Sequence, residues 1–127
     1  EAVEAAGHKT IVVAPVPHLP GEGRPWWHPA ECANAPWFRN TPESCDRSIS
    51  VDEYRTSQRA DREAAKESAD AVGGEFLDPQ DELCRAGRCS AFREGHWWYR
   101  DGLHISPYGS HQLSAAFVRT LKAADVP

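Results

Sequence analysis

The stretch TIVVAPV, Thr10-Ile11-Val12-Val13-Ala14-Pro15-Val16, holds the longest apolar run of the chain, and its reading decides the fold. Its residues are β-branched and continuously apolar instead of alternating, as in a strand buried on both faces within a parallel sheet. The run is far short of the roughly 20 residues a membrane-spanning helix needs. Upstream, residues 1–7 predict the last turns of a helix closed by Gly7, a position suited to a left-handed cap. The opening EAVEAAGHKT is charged and poor in apolar residues, so it is no signal peptide, and any export signal lies before Glu1.

Downstream of the strand, residues 17–47 hold most of the prolines, two cysteines and three tryptophans, and predict a long ordered loop. Ser50-Val51-Asp52-Glu53 has the form of a capping box, and the alanine- and charge-rich run after it predicts a helix to Val72, stopped by Gly73-Gly74. Glu75-Phe76-Leu77-Asp78 predicts a second short strand, so strand, crossover helix and strand make one right-handed parallel unit. Cys84-Arg85-Ala86-Gly87-Arg88-Cys89 closes a tight loop, and Trp97–Tyr99 is extended. Ser106-Pro107 opens a last helix with its apolar face at Leu113, Ala116, Phe117 and Leu121.

Composition excludes several classes of function. The 127 residues, 40% hydrophobic and 26% charged, suit one globular domain or less. A net charge of −5 and scattered arginines, with no lysine/arginine cluster or basic stripe with interleaved aromatics, argue against a nucleic-acid partner. Four cysteines fall into two local couples, which predicts bridges Cys32–Cys45 and Cys84–Cys89 and an oxidising, extracytoplasmic compartment. The competing use is a zinc site, since six histidines are present; neither Cys-x-x-Cys nor close His-x-x-x-His spacing supports it. Two strands do not make a stable sheet in water. The chain therefore reads as the C-terminal part of a larger α/β domain, incomplete as a lone chain, with its first strands outside residues 1–127 or supplied by another polypeptide.

The chemistry points to Tyr99-Arg100-Asp101-Gly102-Leu103-His104-Ile105-Ser106. In an Asp-x-x-His turn the carboxylate accepts the Nδ1–H of the imidazole, fixing the tautomer so that Nε2 can take a proton from a nucleophile. The plain alternative is a turn aspartate that caps its own loop beside a surface histidine.

This block resembles the last conserved block of the SGNH (GDSL-like) hydrolase superfamily, whose Asp-x-x-His motif completes a Ser-His-Asp triad. It is most similar to the SGNH domain attached to membrane acyltransferases of family three, which O-acylate cell-surface glycans. There the block reads Tyr-x-Asp-x-x-His-Leu-Ser after a Cys-x-x-x-x-Cys couple; here Cys84 and Cys89 stand upstream, and Ile105 replaces leucine. Val12-Val13-Ala14-Pro15-Val16-Pro17 likewise resembles that branch's mid-domain strand before a cysteine-bearing loop. The resemblance implies the C-terminal portion of a three-layer, flavodoxin-like parallel-sheet domain.

It also implies roles. His104 is the general base for a serine and Asp101 its orienter, in acyl, chiefly acetyl, transfer to a glycan hydroxyl outside the cytoplasm. No metal or organic cofactor is implied. The partners are the missing N-terminal segment, a membrane acyltransferase domain that tethers the protein, and the glycan. The family's Gly-Asp-Ser block and its oxyanion-hole glycine and asparagine are lacking, since Asp46-Arg47-Ser48 follows a loop cysteine instead of a first strand. The chain alone is thus expected to be inactive.

Around the dyad, Trp97, Trp98 and Tyr99 suit either a sugar-stacking wall or the core. Trp26, Trp27 and His28 follow the carboxyl end of the first strand, where open α/β sheets place ligands. Ser106, adjacent to the dyad, reads as a helix N-cap because Pro107 follows it. His111 reads as a surface or capping residue, and His8, His18 and His96 have no evident partner. Two other readings use the same residues: a carbohydrate acetylesterase, with water as the acyl acceptor, and a non-catalytic glycan-binding domain with a vestigial dyad.

Overall fold

A computed structural model describes residues 8–20, 28, 32 and 41–123. The expected helix at residues 1–7 and most of the proline-rich loop, with Trp26 and Trp27, lie outside the described residues.

The apolar run forms β1 (Ile11–Val13), shorter than expected. One further ladder bond follows, from Ala14 N–H to Leu77 O at 2.8 Å, and the pairing stops where Pro15 offers no N–H. The partner strand is β3 (Glu75–Leu77), parallel, with Ile11 opposite Glu75 and Val13 opposite Leu77. Between them run β2 (Ser48–Ser50) and two helices, α1 (Val51–Ser57) and α2 (Arg59–Ala71). Burial on both faces is not what the run shows: Ile11 and Val12 are half-buried and Val13 is 39% exposed. The reason is the small sheet, since among the described residues only β1 and β3 pair here, with α2 packed against both.

The capping box forms as the sequence predicts. Ser50 Oγ accepts from Glu53 N–H at 3.1 Å and the Glu53 carboxylate accepts from Ser50 N–H at 3.0 Å. At the far end Gly73, with φ +59°, accompanies the bonds Gly74 N–H to Ala69 O and Gly73 N–H to Asp70 O, a Schellman close. The single helix expected between them is broken at Gln58, whose backbone leaves helical geometry at φ −110°, ψ 21°. Its side chain is turned inward: Nε2 donates to Val16 O at 3.0 Å and Oε1 accepts from His18 N–H at 2.8 Å. Asp78, expected at the end of the second strand, instead pairs in bidentate fashion with Arg62 and accepts from Gln80 N–H at 3.0 Å.

After α3 (Gln80–Leu83) come two hairpins that sequence reading resolved only as a tight loop and an extended segment. The first joins β4 (Cys84–Arg85) to β5 (Arg88–Ser90), and β2 pairs with the free side of β5. The second joins β6 (Phe92–Arg93) to β7 (His96–Trp97). Both turns have two residues with positive φ: Ala86 (48°) and Gly87 (78°), then Glu94 (55°) and Gly95 (79°). Such type I′ turns match the twist of the flanking strands. The final helix is two pieces, α4 (Pro107–Gln112) and α5 (Ser114–Ala123). Leu113 and Ala116 are buried as predicted, whereas Leu121 is 39% exposed because nothing among the described residues covers the last turn of α5.

The main buried cluster lies where the hairpins meet the helices, not between the parallel strands. It joins Leu19, Tyr54, Leu83, Cys84, Cys89, Ala91, Trp98, Tyr99 and Leu113. The architecture is mixed α/β, with a parallel pair, antiparallel hairpins and helices.

Candidate active site

The turn holding Asp101 and His104 is closed at its base. Tyr99 and Ile105 form an antiparallel bridge, and Arg100 N–H donates to His104 O at 2.8 Å. Inside the turn Asp101 Oδ1 accepts from the backbone N–H of both Leu103 and His104, each at 2.8 Å, the local bonding to which aspartate is suited. The same carboxylate meets His104 Nδ1 at 3.0 and 2.9 Å through its two oxygens. Partial burial pushes the Asp101 carboxyl up, but the two backbone N–H groups and the His104 ring outweigh it and hold the group below the usual carboxylate range.

Exposure separates the pair. The Asp101 side chain is 17% exposed and that of His104 is 72% exposed. With Nδ1 engaged, a neutral imidazole carries its proton there and leaves the Nε2 lone pair open. Among the described residues Nε2 has no partner. The turn is anchored from outside as well, since Leu19 N–H donates to Gly102 O at 2.8 Å, and Gln58 pins residues 16 and 18 just before it.

Ser106 is the N-cap that its position before Pro107 predicts. Its Oγ accepts from Gly109 N–H at 3.0 Å and donates to Trp97 O at 2.6 Å, so both functions of the hydroxyl are taken up. Tyr99 corrects the expectation of a ring facing substrate: it is 1% exposed, inside the core cluster, and burial drives its phenol pKa upward. Trp98 is also core, at 5% exposed. Trp97 is half-buried and lies 4.8 Å from the Phe92 ring, so part of its face remains open. His28 is half-buried, and its carbonyl accepts from Cys32 N–H at 3.2 Å. His96, without an evident partner in the sequence, stacks on Tyr108 at 4.1 Å, while His111 is exposed on α4.

Two residues that hold this region were not singled out by sequence reading. One is Gln58; the other is Arg93, whose guanidinium sits 3.6 Å over the Trp98 ring and donates to the carbonyls of Leu83 and Glu82. Neither belongs to a motif, and each works across a long loop or a strand crossing. Both cysteine couples form the expected bridges, Cys32–Cys45 and Cys84–Cys89, so no cysteine is free. This removes the thiolates that a zinc site would use.

A parallel strand-helix-strand unit followed by an aspartate-held, exposed histidine before a capped helix defines an α/β domain with an Asp-His pair near its C-terminal end. The chain belongs to the SGNH domain family, in the form described as fused to AT3 domains, which it matches over residues 1–119. It is thus an acyltransferase-associated SGNH module. No curated protein and no solved structure matches the chain.

Proposed function

We propose that residues 1–127 form the C-terminal segment of an SGNH domain and supply the His-Asp half of a Ser-His-Asp triad for O-acyl transfer to a cell-surface glycan. The observation that carries this is the asymmetry of the dyad: Nδ1 of His104 is held at 2.9 Å by a largely covered carboxylate while the rest of the ring stands in solvent. A histidine satisfied for stability alone has no need of an exposed Nε2, and a turn aspartate that only caps its loop has no need of the ring.

His104 Nε2 takes the hydroxyl proton of a serine as that oxygen bonds to the acyl carbon of the donor. The acyl–donor bond breaks, and the leaving group carries away the proton. In the second half His104 deprotonates a sugar hydroxyl, which attacks the acyl-serine and releases the serine with its proton restored. Asp101 stabilises the imidazolium in both halves. Ser106 cannot be that serine while its hydroxyl caps α4, so the nucleophile is read as lying outside this chain. Two disulfides support an oxidising, extracytoplasmic site of action. No helix among the described residues is long and apolar enough to cross a membrane, and tethering is assigned to the attached acyltransferase domain.

The test is release of nitrophenol from nitrophenyl acetate by the full gene product and by residues 1–127 alone. Turnover by the full product that His104→Ala abolishes and Asp101→Asn lowers by about 10³–10⁴-fold is expected, together with none from this chain alone. Full-length activity indifferent to His104→Ala overturns the base assignment. Turnover by the isolated chain that depends on His104 overturns the external serine.

A further inference from the structure

Residues 55–67 read RTSQRADREAAKE, cations and acids intermixed, so no basic cluster is visible along the chain. Folding sorts them. Arg55, Arg59, Arg62 and Lys66 recur at helical spacing and line one groove of about 350 Å³, with Glu63 and the half-buried Phe76. The ladder carries through the break between α1 and α2, since Gln58 N–H donates to Tyr54 O and Arg62 N–H to Gln58 O. The four positions therefore make one stripe about 16 Å long at the helical rise per residue.

The acids neutralise this stripe only in part, and Glu63 lines the same groove among the cations. Asp78 faces Arg62 and occupies it through both oxygens, while Arg55 Nε donates to the neutral amide of Gln80. Among the described residues Arg59 and Lys66 have no ion-pair partner. In a chain of net charge −5 the groove, with four cations against Glu63 and Asp78, is a local reversal of sign.

We propose that this groove binds a linear anionic glycan, with carboxylates or phosphates meeting Arg59, Lys66 and the outer nitrogens of Arg55, and a sugar face against Phe76. The stripe is longer than a single phosphate, which favours a chain over a small anion. It lies in a groove, which favours a strand-like ligand over the flat face of a membrane. This rests on the proposed glycan acceptor for its choice of polymer and makes that acceptor acidic.

The experiment is fluorescence anisotropy with labelled oligogalacturonate at low salt. Its methyl ester, a single-stranded DNA of equal charge, phosphatidylglycerol vesicles and inorganic phosphate serve as the other arms. Oligogalacturonate is expected to bind, to weaken with salt, and to lose at least about tenfold in affinity in R59E/K66E but less than about twofold in the matched reversal R85E/K122E. The methyl ester is expected not to bind, and His104→Ala is expected to bind as the unaltered chain does. The proposal is overturned by absence of binding, by equal weakening in the two double variants, by tighter binding of DNA or vesicles, or by phosphate binding as tightly as the oligosaccharide. Binding lost in R59E/K66E, with acyl transfer to neutral sugars by the full gene product intact, supports the groove independently of the dyad. Acyl transfer lost in His104→Ala with binding intact separates the two in the other direction. Circular dichroism melting of each variant distinguishes lost binding from lost fold.

Discussion

The backbone N–H of Leu19 donates to the carbonyl of Gly102 at 2.8 Å, tying the segment that leaves β1 to the turn carrying Asp101 and His104. That segment is in turn fixed by Gln58, which bonds the backbone at Val16 and His18. Gln58→Leu keeps the volume and removes both part-buried bonds, leaving the Val16 carbonyl and the His18 N–H without that partner. A loss of about 1–3 kcal/mol is expected from urea unfolding. The amide resonances of Leu103 and His104 are expected to shift with it; if they stay in place, the tie does not reach the dyad.

Gly109 lies in α4, directly against the backbone of Trp98. A methyl group there would stand well inside contact distance of the Trp98 carbonyl oxygen, which accepts the N–H of Ser106. Backbone cannot yield as a flexible side chain can, so Gly109→Ala is expected to lower stability by about 1–3 kcal/mol, read as a fall in Tm. An unchanged Tm would mean that α4 is free to slide on this surface.

The pH dependence of stability follows from the depressed pKa of Asp101. A carboxyl whose folded pKa lies below its unfolded value near 3.9 contributes stability that is fully present above that value and lost as pH falls through the folded pKa. Asp101→Asn keeps an acceptor for the Leu103 and His104 N–H groups but removes the charge. Its deficit against the unaltered chain is therefore expected to be present above about pH 4, the unfolded value, and to shrink as pH falls through the lowered folded pKa. Denaturant titrations across that window check this, and a deficit that grows in acid contradicts it.

The two bridges are expected to open in order. Cys84 and Cys89 are 8% and 0% exposed within the core cluster, whereas Cys32 is half-buried at the edge of the proline-rich segment. Exchange requires a thiolate to reach one of the sulfurs. Mild reductant without denaturant, followed by alkylation and mass mapping, is expected to label Cys32 and Cys45 first. First labelling at Cys84 or Cys89 would show that the hairpins open before the rest.

The sequence by itself determined the elements whose causes are local. The capping box at Ser50, the helix stop at Gly73, the N-cap at Ser106 and the Cys84–Cys89 couple each depend on residues a few positions apart, and the Cys32–Cys45 couple on residues 13 apart; each formed as its spacing predicts. The Asp101–His104 contact belongs to the same class, because the two residues are three apart within one turn, which the bond from Leu19 to Gly102 then anchors from outside. Tertiary structure decided what depends on neighbours distant in sequence. It ended β1 early and left Val13 open, because burial on both faces is a property of the surrounding sheet and not of the run TIVVAPV. It buried both Trp98 and Tyr99 and left Trp97 partly out, although Trp97 and Tyr99 share a side by alternation, because the elements packed around each residue set its burial. It broke the long helix at Gln58, where two side-chain bonds to the segment beyond β1 hold the residue inward. Arg55, Arg59, Arg62 and Lys66 share a helical face by local periodicity; what tertiary structure added is Phe76 and Asp78, brought against that face from the second parallel strand and the residue after it.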